Sequence, residues 1–145
     1  MVLLDTNILS ALMSPKPHRE VVEWLDTQDP VSVFISSVTI AEISYGLESL
    51  PIGKRRRQLS DAFERFLTLG FLDRNLDFDY KAAMIYGRLM AFRNRAGRPM
   101  SLADGQIAAI AKANGLVLAT RNVKDFLDCG LVIVNPYELE GEQKQ

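Results

Sequence analysis

Four short apolar runs dictate what this chain can become. Val2-Leu3-Leu4, VSVFIS (31–36), LVLAT (116–120) and LVIV (131–134) are continuously apolar or β-branched rather than alternating. A strand that is apolar on both faces has to be covered on both faces, which argues for an α/β fold with a mostly parallel sheet between helices. The stretches between the runs supply those helices. The turn at Asp5-Thr6-Asn7 leads into one, and a second runs from Pro17 to about Thr27 with Val21, Val22 and Leu25 on one face. A third, 38–50, places Ile40, Ile43, Leu47 and Leu50 at spacings of three and four. Others are expected over 53–69 (Leu59, Phe63, Phe66, Leu67), over 77–97 (Ala82, Ile85, Leu89, Phe92) and over 101–115, with a short one over 122–128. Gly97 and Gly115 stand where helices should stop. Residues 1–140 read as a single domain, and 141–145 as a polar tail.

The totals narrow the class. At 145 residues, 48% hydrophobic and 24% charged, the chain can bury one real core. No apolar run approaches the ~20 residues of a membrane span, and Asp5 interrupts the start where a signal peptide would be apolar. Cys129 is the single cysteine, which excludes a disulfide framework and a thiolate metal cage. A cytoplasmic address follows. Seventeen basic against 18 acidic residues give a net charge of −1, so overall charge does not mark a nucleic-acid binder. Two basic runs, Lys54-Arg55-Arg56-Arg57 and Arg88, Arg93, Arg95, Arg98, read first as solvated helix faces and second as phosphate-contacting surface.

The acids are more informative. In an open parallel sheet the functional crevice lies beyond the carboxyl ends of the strands. Asp5 ends the first strand, Glu42 lies one turn into the helix after the second, and Asn122 and Asp125 follow the strand 116–120. Asp104 opens the helix 101–115. Each has a bland explanation. Thr39-Ile-Ala-Glu42 and Ser101-Leu-Ala-Asp104 fit the capping box, and Asn122-Val-Lys-Asp125 looks like another helix start. Asp5 has no capping partner of that kind. Gly105, which costs a helix roughly 0.5–1 kcal/mol against alanine, is expected to leave room beside the Asp104 carboxylate. Several carboxylates at one edge repel one another unless a cation joins them. With one histidine (His18, beside Pro15 and Pro17), one cysteine and no phosphate-cradling glycine loop, the inventory permits a hard divalent cation, Mg²⁺ or Mn²⁺, on oxygen ligands. The natural reaction for such a site is phosphodiester hydrolysis.

The segments VLLDTNILS, VTIAEISYGL, MSLADGQIAAIA and LATRNVKDF, in this order and spacing, resemble the PIN-domain ribonucleases. They are most similar to the toxins of bacterial VapBC-type modules, including the FitB-like subgroup. The resemblance runs from Val2 to about Leu139. It implies a small three-layer α/β/α domain, a homodimer, and Mg²⁺- or Mn²⁺-dependent cleavage of RNA, with tRNA the favoured substrate. Carried over by motif, Asp5, Glu42 and Asp104 are the catalytic acids. Asp5 and Asp104 are then direct metal ligands, Glu42 ligates or positions water, and Thr6, Asn7 and Thr120 support them. Asn122 departs from the pattern, since some members carry an aspartate there; Asp125 is the candidate substitute. The resemblance further implies a cognate antitoxin whose tail enters the acidic cleft, with DNA contacted only through that partner.

Two other enzyme-like readings fail on residues. A haloacid-dehalogenase-like phosphatase wants a second aspartate at position 7, which is Asn, and a receiver domain wants paired acids and a late Lys-Pro that have no place here. A PIN-derived binding module that no longer cuts is the remaining alternative, motivated by Asn122.

Overall fold

A computed structural model describes residues 1–139; the expected tail, 141–145, lies outside them. Five strands form one sheet: β1 (Val2–Leu4), β2 (Val33–Ser36), β3 (Asn75–Leu76), β4 (Val117–Ala119) and β5 (Ile133–Val134), in the order β3-β2-β1-β4-β5. Every pairing is parallel. The helices are α1 (Thr6–Met13), α2 (Arg19–Asp26), α3 (Ser37–Glu48), α4 (Lys54–Arg65), α5 (Tyr80–Arg95) and α6 (Leu102–Ala113). Among the described residues no helix is long and apolar enough to cross a membrane.

Alternation along the strands sorts the chain into three layers. Val2 and Leu4 point to one face of β1 and Leu3 to the other, as the period of two requires. Val2, Leu4, Val33 and Ile35 pack with Ile8, Leu9, Val21, Trp24, Ile43, Leu47 and Phe63, which belong to α1–α4. Leu3 and Leu118 pack on the opposite side with Ala82 and Leu89 of α5 and with Ile107–Ala111 of α6. Leu3, Leu4, Ile8, Leu9 and Ile35 are fully buried, each such side chain contributing about 1.5–3 kcal/mol over its exposed state. The continuous apolar runs are thus explained by a sheet covered on both sides.

Helix ends follow local chemistry. In α5 and α6 the glycines at the stops are left-handed (Gly97 φ +74°, Gly115 φ +64°). Behind them Arg98 N–H returns to Arg93 C=O and Leu116 N–H to Ala111 C=O, closing both ends by the same hydrogen-bonded turn. Two expectations shift. The run 31–36 begins with a 3₁₀ turn at Pro30–Ser32, because Pro30 lacks the N–H a strand needs. The segment 122–128 forms only a 3₁₀ turn, Val123–Phe126.

β3 has no apolar run to announce it. It is held by Arg74, whose Nε donates to Val33 C=O at 2.9 Å, and by Ile35 N–H donating to Arg74 C=O at 3.0 Å. The second basic run is also not one surface. Arg93 is buried, its Nε donating to Arg98 C=O at 2.6 Å and its Nη1 to Leu127 C=O and Cys129 Sγ.

Candidate active site

The strand order reverses direction between β1 and β4: the chain leaves β1 toward β2 and β3, then returns to add β4 and β5 on the other side. That switch point is where an open α/β sheet opens a crevice. Asp5 follows β1 and Thr120 follows β4, and the two meet there. Thr120 Oγ1 donates to Asp5 Oδ2 at 2.7 Å, and Asn7 Nδ2 donates to the same oxygen at 3.0 Å. Thr6 N–H donates to Asp5 Oδ1 at 2.8 Å. Asp5 is therefore the N-cap of α1, through Thr6 and without the capping box that the sequence lacks here. Thr120, itself fully buried, also accepts from Asn122 N–H at 3.0 Å. Asn7 Oδ1 accepts from Arg121 N–H at 3.2 Å, so both sides of the switch point are tied to one carboxylate.

Only 4% of Asp5 is exposed, and burial drives its carboxyl pKa up to about 6. The Thr120 hydroxyl and the Thr6 amide pull it down; the charges of Asp104 and Glu42 push it further up. A buried acid that its neighbours' charges make harder to ionise is a group in want of a cation.

Glu42 arrives from α3. The expected capping box at Thr39 is not there, because Ser36 is the cap: its Oγ accepts from Thr39 N–H at 3.1 Å. Glu42 stands one turn deeper and is free for another role. Thr6 Oγ1 donates to Glu42 Oε1 at 2.7 Å, and Thr39 Oγ1 lies 3.0 Å from Thr6 Oγ1. With Ser36 Oγ donating to Thr39 Oγ1 at 3.4 Å, a relay of hydroxyls runs from the end of β2 to the carboxylate. Ser36 and Thr39 are members of the site that sequence reading missed; their signal was the hydroxyl pattern in "SSVT", read instead as capping.

Asp104 opens α6, where Ser101 Oγ accepts from its N–H at 3.2 Å. The reciprocal bond of a capping box, from Ser101 N–H to the carboxylate, is not made among the described residues. The Asp104 carboxyl is half-buried and its pKa is raised, first by burial and then by the charges of Asp125 and Glu42, against the pull of Ser101 and Arg93. Asp125 thus faces Asp104 electrostatically, while the Asn122 side chain is exposed and caps nothing.

Gly105 needs a different explanation from the expected one. A Cβ there would lie 2.5 Å from Met90 Sδ and 2.9 Å from Tyr86 Cε2. The glycine lets α6 close against α5; it opens no room at the carboxylate.

Among the described residues no three His, Cys, Asp or Glu side chains converge closely enough to hold a metal ion by themselves. The acids share an edge and feel one another's charge without forming a closed cage. This fits Mg²⁺ or Mn²⁺, which bind through one or two carboxylates and fill the remaining positions with water and substrate oxygens. It does not fit zinc, which wants nitrogen or sulfur ligands: His18 lies apart, its ring tilted 53° against Tyr137.

Residues 2–128 match the family model described as PIN domain. The chain is 39% identical over 138 residues to VapC ribonuclease Y4jK of Sinorhizobium fredii, covering 95% of this chain and 99% of that protein. It is 32% identical over 124 residues to the tRNA(fMet)-specific endonuclease VapC of Shigella flexneri, covering 86% and 88%. Its backbone superposes on a chain of the FitAB complex bound to a DNA fragment with a TM-score of 0.90 at 35% identity, covering 98% and 99%. The parallel five-stranded sheet, the acids gathered at its switch point and these likenesses agree: the chain belongs to the PIN-domain family.

Proposed function

We propose that this chain is a divalent-metal-dependent endoribonuclease and the toxin of a toxin–antitoxin pair. The observation that carries the proposal is Asp5: a buried carboxylate at the switch point, triply hydrogen-bonded, raised to about pKa 6 and facing two further acids. The relatives named as VapC ribonuclease and tRNA-specific endonuclease support RNA, and tRNA first, as the substrate.

Asp5 and Asp104 hold the cation, which when bound polarises the phosphoryl oxygen and stabilises the departing one. Thr6, Asn7 and Thr120 fix both Asp5 oxygens, so the remaining lone pair, on Oδ1, is presented in one direction. Glu42 is exposed, with Oε1 fixed by Thr6 and Oε2 left to orient an attacking water and accept its proton. Asn122 offers an amide oxygen without charge, and Asp125 supplies the negative potential on the Asp104 side.

Partners follow the same reading. An acidic cleft attracts an arginine side chain, the feature by which an antitoxin tail would block it; the FitAB complex supports such a partner, and DNA contact comes through it. Exposed Tyr45 and Leu102, beside Glu42, form an apolar patch with Val38 that suits a second copy of the chain. Such a protein acts in the cytoplasm.

The test is cleavage of total RNA by the wild-type chain and by Asp104→Asn, with Mg²⁺ or with chelator. Discrete fragments from wild type with metal, and none from the variant or under chelation, are expected. Cleavage that survives Asp104→Asn would remove the acid site from the chemistry, and no cleavage by wild type would put the non-cutting binding module in its place.

A further inference from the structure

Beside the acid site, the carboxyl edge of the sheet carries a second feature, which shares Asn122 and Asp125 with it. Over the ends of β4 and β5 lies a polar cleft of about 560 Å³, walled in part by His18, Arg121, Asn122, Lys124, Asn135 and Tyr137. It borders the acid site at Arg121, whose N–H is held by Asn7, the residue that also holds Asp5.

Three planar groups touch in this cleft. The His18 and Tyr137 rings lie 4.7 Å apart, centroid to centroid, and the Arg121 guanidinium sits 4.5 Å over the Tyr137 ring. Arg121 is exposed and makes no ion pair among the described residues, so the guanidinium rests against the Tyr137 ring with no carboxylate there to claim it. Two amides flank it. Asn135 spends its oxygen on Tyr137 N–H at 3.0 Å, leaving its N–H groups as donors. The Asn122 amide has no partner among the described residues, so donor and acceptor are both available.

Charge decides which ligand suits this arrangement. Glu20, Asp125 and Glu138 share the walls with Arg121 and Lys124, and Glu20 Oε2 lies 3.9 Å from His18 Nδ1. The cleft is therefore nearly balanced and is no trap for a bare anion. A flat, hydrogen-bonding, uncharged group fits better. Unstacked RNA bases are held in this way, on arginine planes or aromatic rings with their edges read by polar side chains.

We propose that the cleft is a nucleobase subsite. It seats the base of a nucleotide adjoining the phosphodiester at the acid site, stacked on Arg121 and read at its edge by Asn122 and Asn135, with Lys124 near the next phosphate. This rests on the ribonuclease reading above and adds to it a specificity determinant: the cut would depend on the identity of one flanking base.

The experiment measures binding of a short fluorescein-labelled single-stranded RNA by anisotropy, with Ca²⁺ in place of Mg²⁺ to hold back cleavage. The variants are Arg121→Ala, Arg121→Lys and Asn135→Ala, each checked for fold by circular dichroism. Both Arg121 variants are expected to weaken binding by about tenfold, because lysine keeps the charge and loses the plane. Asn135→Ala is expected to flatten the preference among RNAs differing in one base. Arg121→Lys binding as wild type would reduce the residue to a phosphate-steering charge and overturn the subsite. So would unchanged binding by Arg121→Ala, including the case in which that variant loses only the antitoxin. Wild-type cleavage of total RNA is run in parallel: its absence would fail the ribonuclease reading, whereas its presence with unaffected variants would fail the subsite alone.

Discussion

Thr6 and Glu42, 36 positions apart, are joined by a hydrogen bond of 2.7 Å from the Thr6 hydroxyl to Glu42 Oε1. The first residue of α1 thereby sets the direction of a carboxylate on α3, and Thr39 sets the direction of Thr6. Thr6→Val preserves shape and removes the donor. The expected outcome is a loss of roughly tenfold in the single-turnover cleavage rate, from the low end of the 1.5–3 kcal/mol of a charge-assisted bond because Glu42 is exposed. Stability should fall by only about 1 kcal/mol, the cost of leaving Thr39 without its partner. An unchanged rate in a folded Thr6→Val protein would show that Glu42 needs no anchor.

Asp5 makes metal-free stability depend on pH in a direction opposite to that of most acids. Its folded pKa, about 6, is above the ordinary 3.8, so between those values the native state holds a proton that the unfolded chain has released. Stability without metal should therefore fall as pH rises from about 4 to about 6 and level off above, by at most about 3 kcal/mol. Asp5→Asn should remove that slope and gain about 1–2 kcal/mol at neutral pH, part of the relief being lost because the Asn7 amide then meets a second amide. The same substitution should abolish cleavage. Urea unfolding in chelator, wild type against Asp5→Asn across this range, is the measurement; parallel pH curves would contradict the assignment. Bound Mg²⁺ should reverse the wild-type trend, since the metal competes with the proton.

Gly105 is the contact point of α5 and α6. Gly105→Ala should gain up to about 1 kcal/mol of helix propensity and lose about 1–3 kcal/mol to overpacking against Met90 and Tyr86. The net expectation is destabilisation of about 1 kcal/mol, because the Met90 thioether can swing aside more readily than the Tyr86 ring. The pair should be non-additive: in a Met90→Ala background the alanine at 105 should cost less or stabilise. Thermal melts of the four proteins in the cycle decide it, and additive effects would mean the helices do not meet there.

Arg93 is a buried cation answered by carbonyls rather than by a carboxylate. It ties the end of α5 to the segment around Leu127. Arg93→Met leaves Leu127 and Arg98 carbonyls without a donor and should cost about 2–4 kcal/mol, with Arg93→Lys recovering less than half because one ammonium lacks the fork. Chemical denaturation measures it; a Met variant as stable as wild type would make Arg93 an ordinary surface residue.

What could be read from the sequence and what could not divides along contact range. Val2–Leu4 and 116–120 were legible as buried strands because both faces of each are covered, and Asp5 was legible as a candidate because strand ends are where crevices form. Glu42 was placed on the right helix but three residues out of register with its cap, since Ser36 and Thr39 are equally good caps by type. β3 was invisible: two residues long, it depends on Arg74 reaching Val33. Arg93 looked like its neighbours in a basic run, and Gly105 like an accommodation to its own aspartate, because their reasons lie on other elements. The carbonyls that bury Arg93 and the Met90 thioether that excludes a side chain at 105 leave no trace in local spacing.

The placement of β1 at the centre of the sheet has a consequence for how the protein is made. Asp5 is synthesised 115 positions before Thr120, the residue whose hydroxyl orients its carboxylate, and its strand pairs with Val117–Ala119. Until β4 emerges, β1 has no partner on that side and Asp5 remains an ordinary solvated acid. Contacts of this range form late in folding. The candidate site therefore assembles only after β4 has been made and paired with β1.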